Sequence, residues 1–395
     1  MSIRPAITLA ELFGSRVVYV PRRSPSLHGW SPLDPGFVDF QTGHQLAVAG
    51  TVPYVACAGV ATAEIMALYA SAGLSIDAEL HLYRNPDDYL KVIGTLRTDG
   101  ARLAIQRVHP ATEVPDSVGI IPLSLQQDLN DKGRMADVVP AGWLPDRDVI
   151  DVKNLPSSSE LLRGGRPVVI KAATRLPNGG GHCVWICRTA GDVERARVAL
   201  ASERLAVVEE FLDLCRTVCV HAVARADGSV SVTGTAEEVC EGERYLGNWL
   251  DPQADDVPRE VIAVVRHIVE LAVRRGYRGI VGIDVGFLRD GSARVLDLNF
   301  RVNGSTAAVW LREGLRTRGR GGQSMRLRGW TASDPTALFR VARRAIDRGT
   351  LVPLGAYDPT ACDMGGVARL HGLVLGPSRE AIADEQRRLA SEGLA

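Results

Sequence analysis

Residues 296–306 read LDLNFRVNGST, and everything else in the chain is best understood outward from them. In a β-strand successive side chains point to opposite faces, so Leu296, Leu298, Phe300 and Val302 share one side while Asp297, Asn299, Arg301 and Asn303 share the other. The first row is a core face. The second gathers an acid, an amide and a guanidinium instead of ordinary solvent-facing residues.

The preceding segment, GIVGIDVGFLRDGSARVLDLNF (279–300), reads as a hairpin turning at Asp290-Gly291. A two-residue turn pairs Asp284 with Asp297, and a four-residue loop sets Asp284 opposite Asn299. Both put the acids on one face, whereas a three-residue loop breaks that parity. Adjacent carboxylates on a sheet repel and need a counter-charge. Two Asp carboxylates and an Asn carbonyl, Asp284, Asp297 and Asn299, are hard oxygen ligands suited to Mg²⁺ or Mn²⁺, and no His or Cys joins the row to suit zinc. Arg301, one step along, can fork onto a phosphate or carboxylate. The competing reading of the same row is a salt-bridged face on which Arg301 balances the aspartates.

Upstream, Lys171 ends the apolar run of RPVVIKAA (166–173), and LPNGGGH (176–182) follows it. Gly179, Gly180 and Gly181 can turn backbone N–H groups toward an anion, and His182 can help hold a phosphate, although a plain hairpin turn also explains three glycines. There is no G-x-x-x-x-G-K-[ST] phosphate loop. In VVEEF (207–211), Glu209 or Glu210 stands at a strand end where an acid can accept from an adenine amino group or a ribose hydroxyl. Only four lysines occur (Lys91, Lys132, Lys153, Lys171) and the other 42 cationic residues are arginine, so a retained lysine points to a place that wants a compact ammonium.

The whole chain bounds these readings. It has 395 residues, 46% hydrophobic and 23% charged, with 46 basic residues balancing 46 acidic ones, which suits a two- or three-domain globular protein and gives no bulk field for nucleic acid or an anionic membrane. Seven cysteines without a C-x-x-C pair, and no secretory leader, read as reduced thiols in a cytoplasmic protein. The uncharged stretch 46–63 contains Pro53 and several glycines and reads as strand, turn and helix start rather than a membrane span.

In order, N-D-K (130–132), P-V-V-I-K (167–171), the glycine turn, V-E-E-F, D-V-G-F and L-D-L-N-F-R-V-N-G-S resemble the ATP-grasp superfamily over about 120–310. The resemblance implies ATP as the nucleotide, Lys132 and Lys171 on its phosphates, Glu209 or Glu210 on its adenosine, and Mg²⁺ or Mn²⁺ on Asp284, Asp297 and Asn299. It also implies Arg301 on the transferred phosphoryl group or the intermediate. The chain departs from the family in having Asp297 where Glu is common, and in CRTVC (215–219), which lacks an acid that often faces ribose.

The fold class expected from this is α/β: an open α/β pre-ATP-grasp domain over 1–120, then a two-lobed ATP-grasp domain over 121–330, with a lid lobe at about 140–205 and a metal-binding lobe at about 206–310. A helical tail is expected over 331–395. The N-terminal region and tail are most similar to actinobacterial natural-product amino-acid and peptide ligases of the pheganomycin type. The implied enzyme is an ATP-dependent carboxylate–amine ligase of specialised metabolism that acts through an acyl phosphate. Its substrates would be amino acids or peptides, with neither nucleic acid nor membrane as partner and a homodimer as an open assembly. A small-molecule kinase and a non-catalytic nucleotide-binding regulator are the alternatives. The arginine-rich stretch 312–328 reads either as a solvated loop or as a mobile clamp for a substrate carboxylate.

Overall fold

The computed structural model describes residues 3–27, 29–30, 34–176, 181–241, 244–317 and 324–394. Three sheets organise them. The N-terminal sheet is parallel, in the order β3-β2-β1-β4, and comprises β1 (Val17–Val20), β2 (Tyr54–Cys57), β3 (Leu80–Tyr83) and β4 (Arg102–Ile105). Every residue of β1 and β2 is buried, as strands covered on both faces require. The helices Ala63–Ala72 and Pro86–Thr98 supply crossovers, and their first turns are capped by Thr62 and Asn85.

The second sheet is antiparallel, in the order β5-β8-β6-β7, from β5 (Arg147–Asp151), β6 (Val168–Ala173), β7 (Val184–Cys187) and β8 (Leu205–Glu210). Its strands run to Glu210, a few residues beyond the expected change of lobe.

The third sheet has eight strands: β9 (Leu214–Ala224), β10 (Val230–Glu241), β11 (Arg244–Leu250), β12 (Gly279–Leu288), β13 (Ala293–Asn299), β14 (Ser324–Ala332), β15 (Leu351–Tyr357) and β16 (Ala368–Gly376). Their order is β13-β12-β9-β10-β11-β14-β16-β15. The amphipathic helix Arg259–Arg274 lies beneath β9 and β10 and packs Val261, Val265, Ile268, Val269 and Ala272 into a core shared with β12 and β13. Among the described residues no helix is long and apolar enough to cross a membrane.

The structure corrects three expectations. The tail is not simply helical. Between the helices Pro335–Asp347 and Arg379–Ser391, β15 and β16 join the large sheet. LVPLGAY is buried at every position, so it shows no alternation to read, and its Pro353 is tolerated because β15 is the edge strand. Phe339, Leu354 and Tyr357 from this region share one core with Leu68 and Tyr69 of the N-terminal domain.

The stretch 312–328 is also not a loop throughout. Arg312 and Arg316 lie on the helix Thr306–Arg316 and pair with Asp255 at 2.7 and 3.8 Å. Arg326 is buried on β14 over the Trp249 ring. Arg318 and Arg320 lie outside the described residues.

The third correction decides the site. Leu288 N donates to Ser292 O at 2.9 Å, leaving Arg289, Asp290 and Gly291 as a three-residue loop with Gly291 at φ 85°. That loop alone would send Asp284 and Asp297 to opposite faces. However, Val285 pairs with Val295 while Asp284 pairs with Asp297, so Leu296 is an extra residue on β13. The bulge restores parity and re-aims the strand: Ala293 and Val295 face the core before it, Leu298 and Phe300 after it. Leu296 is therefore not part of the core row.

One glycine marks how tightly β11 and β14 approach. Gly247 has φ 118°, and a Cβ there would lie 1.9 Å from Leu327 O. Gly247→Ala should therefore cost about 3 kcal/mol or more, read as a lower denaturant midpoint.

Candidate functional site

The bulged hairpin, β6, β8 and the turn after the helix Leu123–Asn130 bring their polar residues to one place. Lys171, buried on β6, reaches across from the small sheet to the large one: its Nζ donates to Leu296 O at 3.0 Å and lies 2.5 Å from Glu209 Oε2. Lys132 opens the turn Lys132–Asp137, is 4% exposed, and forms an ion pair with Asp297. The same segment is tied to the motif strand by Phe300 N, which donates to Asn130 Oδ1 at 3.1 Å.

Asp284, Asp297 and Asn299 do converge. Asn299 Nδ2 donates to Asp284 Oδ2 at 3.0 Å, and Asp284 Oδ1 is buried without a hydrogen-bond partner. Burial and the facing Asp297 push the Asp284 carboxyl up to about 6. Burial acts on Asp297 in the same direction, but Lys132, Lys171 and Arg301 outweigh it and hold that carboxyl below its ordinary range. Arg301 stands beside both aspartates, and burial lowers its pKa against their opposing pull. Among the described residues no three His, Cys, Asp or Glu side chains form a metal cluster; this row consists of two acids and an amide. An unpartnered buried carboxylate oxygen beside a second carboxylate and an amide fits a hard divalent cation.

The two glutamates separate. Glu209 is 3% exposed and turned to Lys171, with Arg147 at 3.4 Å. Glu210 is exposed and accepts from Asp146 N at 3.0 Å; both glutamates, with Arg147 and Val208, line a cavity of about 420 Å³. Gly181 adopts φ 79° and His182 is exposed on the turn into β7, while its buried neighbour Cys183 faces Lys132 and Asp297. Gly179 and Gly180 lie outside the described residues.

Several groups escaped the sequence reading because they come from other strands. Cys219 on β9 pairs in register with Asp284 and hydrogen-bonds to it, so a thiol does border the row. Burial and the neighbouring acids keep that thiol protonated, well above its usual pKa. Glu238 on β10 is pushed well above the carboxylate range by burial, then by Asp284 and Asp297. Arg23 and Arg107 follow β1 and β4, at the carboxyl ends of parallel strands where ligands of open α/β sheets bind. Burial, then Arg301 and Arg23, lower Arg107 to about 9.

A lid-like antiparallel sheet closing on an antiparallel sheet that carries acids and an arginine, behind an N-terminal parallel sheet, is the ATP-grasp fold. Solved structures share it at low identity. An N5-carboxyaminoimidazole ribonucleotide synthetase in complex with ADP has a TM-score of 0.61 at 12% identity, covering 98% of each chain. The N5-carboxyaminoimidazole synthetase from Staphylococcus aureus, complexed with ADP, has 0.61 at 10%, covering 98% of this chain and 99% of that one. Biotin carboxylase from Campylobacter jejuni has 0.56 at 13%, covering 95% and 91%. Sequence models of L-aspartate–L-methionine ligase match residues 8–127, as its N-terminal domain, and 145–299, as its ATP-grasp domain. The chain belongs to the ATP-grasp carboxylate–amine ligases of the amino-acid-ligase type, and it is an ATP-dependent enzyme that forms C–N bonds.

Proposed function

We propose that the enzyme joins two amino acids in the cytoplasm, as a step of specialised metabolism. An acidic amino acid such as L-aspartate supplies the carboxylate and one such as L-methionine the amine. ATP is cleaved to ADP and phosphate through an acyl phosphate. The choice of substrates takes the matched ligase's own name as its guide. Supporting it is the cluster of Arg23, Arg107 and Arg301, a cationic environment suited to a substrate with a second carboxylate.

The observation that carries this reading is the meeting of Lys132, Lys171, Asp284, Asp297, Asn299 and Arg301 between the two antiparallel sheets. A carboxylate and a polyphosphate repel, so cations must be gathered before phosphoryl transfer. Lys132 and Lys171 exchange Asp297 and Glu209 for phosphate oxygens. Glu210, at the mouth of its cavity, offers an acceptor to adenosine. Arg301 forks onto the transferred phosphoryl group and then steadies the oxyanion formed when the amine attacks. Asp284, Asp297 and Asn299 would hold Mg²⁺ or Mn²⁺, which when bound neutralises the charge on the β- and γ-phosphates. His182 stays near the glycine turn as a further phosphate contact.

The test is ADP release over a panel of amino-acid pairs, with mass spectrometry of the products. Release that requires both a carboxylate and an amine, with a dipeptide product, is expected. AMP in place of ADP would indicate adenylation and overturn the acyl-phosphate route.

A further inference from the structure

Two adjacent acids on β10 are treated in opposite ways. Glu237 faces away from the site and is fully paired, with Arg379 donating to both of its oxygens at 3.2 Å. Glu238 faces the site, and its side chain, among the described residues, makes neither an ion pair nor a hydrogen bond. The register fixes its direction: Asp284 pairs with Cys219, Cys219 pairs with Ala236, and Glu238 lies two residues further along the same face. Two strand spacings, roughly 10 Å, separate β10 from the aspartate row, which is enough for an acyl group and an attacking amine between them.

A second, independent feature points to a ligand here. Asn248 on β11 is the cross-strand partner of Glu238 and so shares its face. It is 1% exposed, and its Nδ2 has no partner. Tyr245 donates its hydroxyl to Asn248 Oδ1, which fixes the amide so that the NH₂ is the unmet group. A lone acceptor and a lone buried donor, side by side, complement the ammonium and the carboxylate of an α-amino acid.

Building on the proposed ligase reading, we propose that Glu238 and Asn248 form the subsite for the amine substrate. The Glu238 carboxylate holds the substrate ammonium and takes one of its protons. The freed lone pair attacks the acyl-phosphate carbonyl, the C–N bond forms, the C–O bond to phosphate breaks, and the second proton leaves with the phosphate. Asn248 donates to the substrate's own carboxylate and sets its approach.

Hydroxylamine tests this, because it is neutral near pH 7 and can intercept an acyl phosphate without an ammonium site. The full-length enzyme is given ATP, Mg²⁺ and L-aspartate, with either L-methionine or hydroxylamine, and the dipeptide and hydroxamate are measured. Glu238→Gln should lower the dipeptide-to-hydroxamate ratio at least about 100-fold. Asn248→Ala should raise the KM for L-methionine at least about tenfold while moving the KM for ATP much less. An unchanged ratio, or equal loss of both products, overturns the subsite. Absence of hydroxamate from the unaltered enzyme overturns instead the acyl-phosphate reading on which the subsite rests.

Discussion

Asp284→Asn should abolish turnover and, in the presence of a chelator, make the protein more stable. The two effects have one cause. Asp284 is set opposite Asp297 with one oxygen buried and unpartnered, and its carboxyl is pushed up to about 6. An acid whose folded pKa exceeds its unfolded value binds its proton more tightly when folded, so its ionised form costs stability as pH rises from about 4 through about 6. The amide removes that cost while removing a carboxylate from the cation site. The expected result is at least about a 10³-fold loss of kcat. The thermal midpoint should also lie about 2 °C or more above the unaltered protein at pH 7, with the gap closing below pH 4. A less stable variant, or one retaining turnover, would contradict the account of this residue.

Lys171→Met should weaken both function and fold, and the two losses separate. Lys171 is the ammonium that spans the sheets, and its loss should raise the KM for ATP about 100-fold. It also strands Glu209, 3% exposed, with only Arg147 at 3.4 Å, and removing one partner of a buried pair costs about 3–5 kcal/mol. Adding Glu209→Gln should recover most of that stability and none of the activity. If the double variant is no more stable than the single one, Glu209 does not depend on Lys171 for its charge balance.

Much of this was legible because it is local. The polar row Asp297, Asn299, Arg301, the lysine at the end of an apolar strand, and the paired glutamates all lie within single strands, where period-two alternation assigns faces directly. The Asp284–Asp297 partnership was legible in outcome but not in route. The three-residue loop and the Leu296 bulge cancel, and neither a loop length nor a bulge can be deduced from composition alone.

What sequence could not reveal depends on strand order. Cys219 and Glu238 reach the site only because β12-β9-β10 are neighbours, an order unrelated to their order in the chain. Arg23 and Arg107 join it from another domain. The acid pair 237–238 carried a faint signal, since one of two consecutive strand residues must face inward. In the tail, β15 was hidden by its uniform burial, which removes the alternation that marks a half-exposed strand.

The central claim is that these groups move a phosphoryl group from ATP onto a substrate carboxylate before the amine attacks. L-Aspartate labelled with ¹⁸O in its carboxylates, incubated with ATP, Mg²⁺ and L-methionine, tests it by ³¹P NMR of the phosphate formed. One labelled oxygen carried from carboxylate to inorganic phosphate per amide is the predicted result. Unlabelled phosphate, or label appearing in AMP, would contradict it.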